Sequence, residues 1–173
     1  MRNLPIPKVL PTLQSDRLTL RMMNDDDAND LFEIYGDPCV MRYTGETPFP
    51  DLKAVEVMLA SVRQLLSEGS SLEWLIVLKS TQAVIGTCGI YNFNPVLQSA
   101  EVGCLLKRKS WGLGYMTEAL SLIAAFAAQK LTLQLLLADV APPNARANRL
   151  FYRLGYIQTE MGYLATRLDS GRN

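Results

Sequence analysis

Histidine is absent from the chain. That absence removes Ser-His-Asp and Cys-His nucleophilic catalysis, and most zinc sites, at one stroke. Cysteine is scarce. Cys39, Cys88 and Cys104 are an odd number with no ligand-like spacing, so free thiols in a reducing cytoplasm are the expected state and no metal is expected. Neither sign of charge dominates, with 17 Lys and Arg against 17 Asp and Glu. No electrostatic case exists for nucleic acid or an anionic membrane as partner. Long apolar runs are missing as well. The longest, Ala119 to Ala128, is interrupted by Ser121 and falls well short of the roughly 18 residues a membrane span needs. Met1 to Pro11 holds three prolines and no apolar stretch of the kind that directs export. Residues 1–12 are therefore expected as an extended arm before a single domain over 13–173.

Hydrophobic patterning organises what remains. Leu18, Leu20 and Met22 alternate along a strand. Asn24 offers an N-cap ahead of Asp25, Asp26 and Asp27, and Ala28, Leu31, Phe32 and Tyr35 follow at helical spacing until Gly36. Residues 37–50 read as a loop. Val55, Met58, Leu59, Val62, Leu65 and Leu66 stripe a second helix that ends at Gly69. Two strands, Leu72 to Lys79 and Ala83 to Phe93, are apolar on both faces, as central strands are. A third runs from Gln98 to Leu106. The longest helix spans Tyr115 to Lys130, a strand covers Gln134 to Val140, and Ala147, Leu150, Phe151 and Leu154 mark a short helix. Tyr156 to Leu168 is a final strand or a tight pair. A meander followed by two strand-helix units implies a mixed sheet with helices on both faces.

The segment Lys109-Ser-Trp-Gly-Leu-Gly-Tyr-Met-Thr-Glu118 stands where a strand gives way to a helix. Two glycines there let phosphate oxygens approach backbone amides at the positive end of a helix dipole. A dinucleotide fingerprint would need glycine at position 117, which is Thr117. A Walker loop would need Gly-Lys-Ser/Thr, which is absent. A glycine-softened connection without ligand is the alternative for this motif taken alone.

Together with Glu101-Val-Gly103 upstream and Asn144-Ala-Arg-Ala-Asn-Arg-Leu-Phe-Tyr-Arg-Leu-Gly-Tyr156 downstream, the segment resembles the GNAT superfamily of acetyl-CoA-dependent N-acyltransferases. The likeness is to its ribosomal-protein N-terminal acetyltransferase (RimJ/RimL-like) branch. Leu13-Gln-Ser-Asp-Arg-Leu-Thr-Leu-Arg21 is similar to the first strand of that branch, and Gly36-Asp-Pro-Cys-Val-Met-Arg-Tyr43 to its substrate-side loop. The resemblance implies an α/β fold with a central mixed, mostly antiparallel sheet of about six or seven strands flanked by four helices. It implies acetyl-CoA as co-substrate and direct transfer to a primary amine, of a small molecule or a protein N-terminus.

Site residues follow from the same resemblance. Backbone amides around Lys109, Trp111, Gly112, Leu113, Gly114, Tyr115, Met116 and Thr117 would hold the pyrophosphate, with Lys107 and Arg108 alongside. The strand at Cys104, Leu105 and Leu106 would pair with pantetheine and place an amide near the thioester oxygen. Asn144, Asn148 and Phe151 complete the expected cofactor side. Glu101 is the expected base, because a carboxylate inside a central strand is rarely without a partner or a task. Tyr152 is the expected acid, since the family tyrosine position is Phe151 here and the serine position is Ala147. Tyr35, Arg42, Tyr43, Trp74, Tyr91 and Asn92 are expected to line the amine side. Gly103 fits a bulge, a close ligand approach, or packing beneath an aromatic ring. The short C-terminus leaves an exposed sheet edge, for which a homodimer contact is one cover. A non-catalytic CoA-binding or effector module is the alternative reading, and an interaction protein on the same fold is another.

Overall fold

The computed structural model describes residues 4–168. Eight strands form one sheet: β1 (Leu13–Gln14), β2 (Leu18–Arg21), β3 (Ser71–Leu78), β4 (Val84–Asn94), β5 (Ser99–Leu106), β6 (Leu135–Ala138), β7 (Ile157–Gln158) and β8 (Leu164–Arg167), ordered β1-β2-β3-β4-β5-β6-β8-β7. Every pairing is antiparallel except β5 with β6. Five helices accompany them: α1 (Ala28–Tyr35), α2 (Pro38–Met41), α3 (Leu52–Glu68), α4 (Tyr115–Gln129) and α5 (Ala145–Arg153).

The mixed, mostly antiparallel sheet is as the sequence implies, with two differences of count. The strands exceed six or seven because β1 and β7, two residues each, add themselves at the edges. Such short segments carry too few side chains for alternation to register. The C-terminus thus supplies a tight pair, β7 with β8, and completes the sheet with short edges. The extra helix is α2, a single turn inside the stretch read as loop. Pro38 opens it, and the Asp37 carboxylate accepts from the Cys39 amide at 2.8 Å.

Two apolar layers flank the sheet. One holds Leu18, Leu20, Trp74, Ile76, Ile90 and Val102 under Met116, Leu120 and Ile123 of α4. The other holds Leu75, Val77 and Val84 under Leu31, Ile34, Val55 and Leu59 of α1 and α3. Each fully buried aliphatic side chain is worth about 1.5–3 kcal/mol, so these layers make the central strands rigid carriers for whatever they display. The arm before β1 is irregular and tied down: the Trp74 indole donates to the Pro11 carbonyl at 2.8 Å, and the Lys8 ammonium to the Ser67 carbonyl at 2.7 Å. The expected arm and domain limits at residues 1–3 and 169–173 lie outside the described residues.

One feature of the sheet shapes the site. β5 and β6 are paired in parallel only from Ser99↔Leu135 to Glu101↔Leu137. Beyond that point β5 continues to Leu106 against β4 alone, and β6 ends at Ala138. The strands splay, and a stretch of β5 edge faces open space.

Candidate active site

A cleft of about 1120 Å³ occupies the splay and continues over the sheet to the α1–α2 segment. Its floor includes Glu73, Thr87, Tyr91 and Val102 to Leu106, and its walls include Trp111 to Thr117, apart from Leu113, together with α5.

Alternation fixes which amides enter the splay. The Gln98 carbonyl accepts from Leu135 toward β6, whereas the Lys107 amide donates to the Ile85 carbonyl toward β4. Even-numbered residues of β5 therefore turn their backbone groups into the splay, and odd-numbered ones toward β4. The amides of Cys104 and Leu106 meet the cleft, and that of Leu105 does not. The Leu106 carbonyl is already taken by the Trp111 indole N–H at 2.7 Å. The Cys104 thiol lies in the cleft, pushed up to about 12 by burial, and stays protonated.

The glycine loop is a built cradle. Gly112 and Gly114 have φ of +76° and +80°, a conformation that a side chain resists. A Cβ on Gly112 would meet nothing within 4 Å, so the concave side is open. The first amide bonded within α4 is that of Glu118, to the Gly114 carbonyl at 3.2 Å, and the amides of Gly112 to Thr117 have no backbone acceptor among the described residues. Unclaimed amides at the start of a fifteen-residue helix form an anion site. The loop is braced by the residue that directly precedes β2. The Arg17 guanidinium donates to the Glu118 carboxylate at 2.7 Å and to the Leu113 carbonyl at 3.0 Å, and lies 4.6 Å from the Tyr115 ring centre.

The basic trio before the loop is divided. Lys107 is buried and bound by Asp30 and Glu33 of α1 at 2.6 and 2.7 Å, and Arg108 pairs with Asp37 at 2.6 Å. Lys109 alone stays exposed and without an ion partner among the described residues. Of the cationic residues that line the cleft, three come from α5, and Arg42 follows α2. Arg146 stacks on Trp111 at 3.5 Å, and Arg149 and Arg153 follow on the same helix face.

The two asparagines of this region are structural in part. Asn144 caps α5, accepting from the Ala147 amide at 3.2 Å, and it lines the cleft. Asn148 lies off the cleft lining and fastens the preceding turn by donating to the Ala141, Pro142 and Asn144 carbonyls. Phe151 reaches the cleft and is buried edge-on against Tyr156, centres 4.9 Å apart.

The expected acid and base are displaced. Tyr152 is 49% exposed and lies outside the cleft lining, because the roughly 100° turn from Phe151 carries it to the solvent side of α5. Glu101 also lies outside that lining. It sits where β5 still pairs with β6 and accepts from the Asn92 side-chain amide at 3.1 Å, which takes Asn92 out of the cleft as well. Trp74 is fully buried, edge-on to Phe126, on the α4 side of the sheet. All four residues thus stand outside the cleft lining. Tyr35, Arg42, Tyr43 and Tyr91 do line the cleft. Tyr91 lies over Gly103, where a Cβ would stand 3.2 Å from its hydroxyl, so packing beneath a ring accounts for that glycine.

Two carboxylates line the cleft, Asp139 directly after β6 and Glu73 on β3. The strand neighbours of Glu73, Leu72 and Trp74, point to the opposite layer, and it faces Gly89 across the ladder. Burial pushes its carboxyl up to about 6, opposed only by a hydrogen bond from the Ser71 hydroxyl at 2.7 Å. Tyr35 lies on the same side of the sheet, its hydroxyl 3.1 Å from the Thr87 hydroxyl. Burial pushes the Tyr35 and Tyr91 phenols up to about 12, so both keep their protons. Sequence reasoning missed Glu73, although the signal that singled out Glu101, a carboxylate within a central strand, applies to it equally. It also missed Arg146, Arg149 and Arg153 as one face.

The family described as acetyltransferase (GNAT) domain matches residues 17–157. The chain is 34% identical over 147 residues to a Bacillus licheniformis protein named uncharacterized N-acetyltransferase p20, covering 85% of this chain and 83% of that one. Among solved structures it resembles spermidine N-acetyltransferase from Vibrio cholerae in complex with CoA and spermine, with TM-score 0.78, 15% identity, and 89% and 97% of the two chains covered. It also resembles Mycobacterium smegmatis RimJ in complex with CoA-disulfide, with TM-score 0.79, 17% identity, and 91% and 86% covered.

Proposed function

Because the chain belongs to the acetyltransferase (GNAT) family, we propose that it transfers an acetyl group from acetyl-CoA directly to a primary amine, with Glu73 as the base. The observation that carries this reading is one continuous cleft. It joins an open amide cradle at Gly112 to Thr117, a splayed β5 edge, and a desolvated carboxylate. The loop and first-strand motifs favour the RimJ/RimL-like branch as its place in the family.

The residues fit the co-substrate group by group. The amides of Gly112 to Thr117 take the pyrophosphate, and Arg146, Arg149 and Arg153 supply positive charge beside it. The Cys104 and Leu106 amides take the polar groups of the pantetheine arm and donate to the thioester oxygen as charge develops there. Acetyl-CoA supplies an activated acyl group and a thiolate leaving group. The amine nitrogen bonds to the carbonyl carbon, the C–S bond breaks, and its electron pair leaves on sulfur. Glu73 accepts the proton that the nitrogen sheds. A carboxyl poised at about 6 is ionised at neutral pH yet basic enough to take that proton. Tyr91, protonated over the splay, supplies a hydroxyl to the developing charge on oxygen or sulfur.

The test is thiol release from acetyl-CoA over a panel of primary amines. Glu73→Gln is expected to lower kcat by roughly 10²–10⁴-fold with CoA affinity unchanged. An unchanged kcat would overturn the assignment. A second reading, a CoA-binding effector module, is favoured by one observation: no hydroxyl of α5 lines the cleft. Tight CoA binding without turnover of any amine would select it.

A further inference from the structure

Resting on that reading, we infer that the acceptor is an amine bearing a carboxylate close to its amino group, as an α-amino acid does, and that Arg42 is the residue that recognises it.

Acidic residues are not scarce near α1, but they are occupied. Asp30 and Glu33 hold Lys107, and Asp37 holds Arg108. Glu46 is exposed and lies outside the cleft lining. At the floor stands Glu73, hydrogen-bonded only by Ser71 among the described residues. Asp139, the other acid that lines the cleft, directly follows β6 and is near enough to Tyr91 to help raise its phenol, as Glu73 does. A polyamine needs several anionic partners along its length, and the cleft lining offers two, Glu73 and Asp139.

An exposed arginine without an ion partner among the described residues lines the same cleft. Arg42, directly after α2, lines the cleft and makes none of the ion pairs among the described residues. Its guanidinium lies 5.3 Å from the Tyr43 ring centre, a contact that holds the plane without using its N–H donors. Glu73 and Arg42 are thus opposite charges in one cleft that do not pair with each other. A zwitterionic acceptor satisfies both: its amino group goes to Glu73, and its carboxylate takes the fork of Arg42. The arginines of α5 do not compete for this role, because Arg146 stacks on the glycine loop and its neighbours continue along the donor side.

The reaction stays balanced: the amine gains the acetyl group, CoA leaves as the thiol, and the carboxylate is unchanged. Arg42 is here a specificity residue, so its test must separate recognition from chemistry. Each proteinogenic amino acid is compared with its own α-carboxamide, with spermidine and a carboxamide-capped dipeptide alongside, at saturating acetyl-CoA. The free acid of the preferred pair is expected to exceed its carboxamide about tenfold or more in kcat/KM, chiefly through KM. In Arg42→Ala that ratio is expected to collapse toward one, with Arg42→Lys retaining part of it and CoA affinity unaltered. Carboxamides, spermidine or the dipeptide used as well as free acids would overturn the inference while leaving acetyl transfer standing, as would a ratio that survives Arg42→Ala. CoA binding without turnover of any amine would overturn the transfer reading and this inference with it.

Discussion

Gly89 stands directly across the β3–β4 ladder from Glu73, and a Cβ at Gly89 would lie 2.1 Å from a Glu73 carboxylate oxygen. The missing side chain is the space into which the carboxylate folds. Gly89→Ala is therefore expected to swing Glu73 away from its present position. The obstacle is the far end of a flexible side chain, so the fold survives at an overpacking cost of about 1–3 kcal/mol. Activity suffers more, since a base displaced by an ångström can cost roughly 10²-fold. Pairing Gly89→Ala with Glu73→Asp shortens the reach and is expected to restore part of kcat. Steady-state kinetics with circular dichroism check this. A Gly89→Ala enzyme with full kcat would separate Gly89 from the base.

The buried Glu73 carboxyl predicts a stability cost with a definite sign. Its ordinary value of 4.5 is raised to about 6 in the folded protein. Between those values the folded chain keeps a proton that the unfolded chain has lost. The associated stability is complete below pH 4.5 and is lost as pH rises through about 6, by about 2 kcal/mol. Glu73→Gln carries no such charge, so it is expected to be more stable than the parent by about that amount at pH 8 and equal to it near pH 4. Activity runs oppositely, with kcat/KM rising as pH climbs through about 6. Denaturant unfolding at four pH values decides the point. A parent-to-variant difference that is constant with pH would refute it.

Arg17 braces the phosphate loop from outside. Its guanidinium joins the Leu113 carbonyl to the Glu118 carboxylate, which also accepts from the Ser15 hydroxyl and the Arg17 amide. The Arg17 side chain is 47% exposed, so the pair itself adds little stability. Its effect is on loop position. Arg17→Ala is expected to weaken CoA binding about tenfold, the worth of one charge-assisted contact, while the thermal midpoint moves little. Calorimetric titration with CoA checks this, and an unchanged Kd would show that the glycines hold their geometry unaided.

The sequence was most legible where one local rule decides. The glycine loop and the strand before α4 rest on backbone conformation, and the structure places each where the chain implies. The sheet core was legible because alternation and helical spacing act over several residues. What stayed hidden depends on which face, and which side, a residue meets. Glu73 and Glu101 are both carboxylates in central strands, and only the register across Gly89 and the splay beyond Glu101 separates them. Lys107 read as a free cation because its partners, Asp30 and Glu33, lie more than 70 residues away in sequence. α2 and the two-residue edge strands are too short for any pattern.

The two tyrosines make the sharpest contrast of this kind. Tyr152 follows the family position by one residue, and that step turns it to solvent at 49% exposure. Tyr91 carries no motif, yet its ring lies over Gly103, beside the β5 edge that ends in the splay. Burial pushes its phenol up to about 12, so it remains a donor at any pH at which the protein works. Tyr152→Phe is accordingly expected to keep the parent kcat. Tyr91→Phe removes one hydroxyl without leaving a cavity and is expected to lower kcat by roughly 10²-fold, the usual cost of one donor to developing charge. Because a leaving thiolate of low basicity needs less help, that loss should shrink when the acyl donor is a thioester of a more acidic thiol. Single-turnover acetyl transfer with the two donors measures both effects. A Tyr91→Phe enzyme that is as fast as the parent, or a Tyr152→Phe enzyme that is slow, would return the donor to α5.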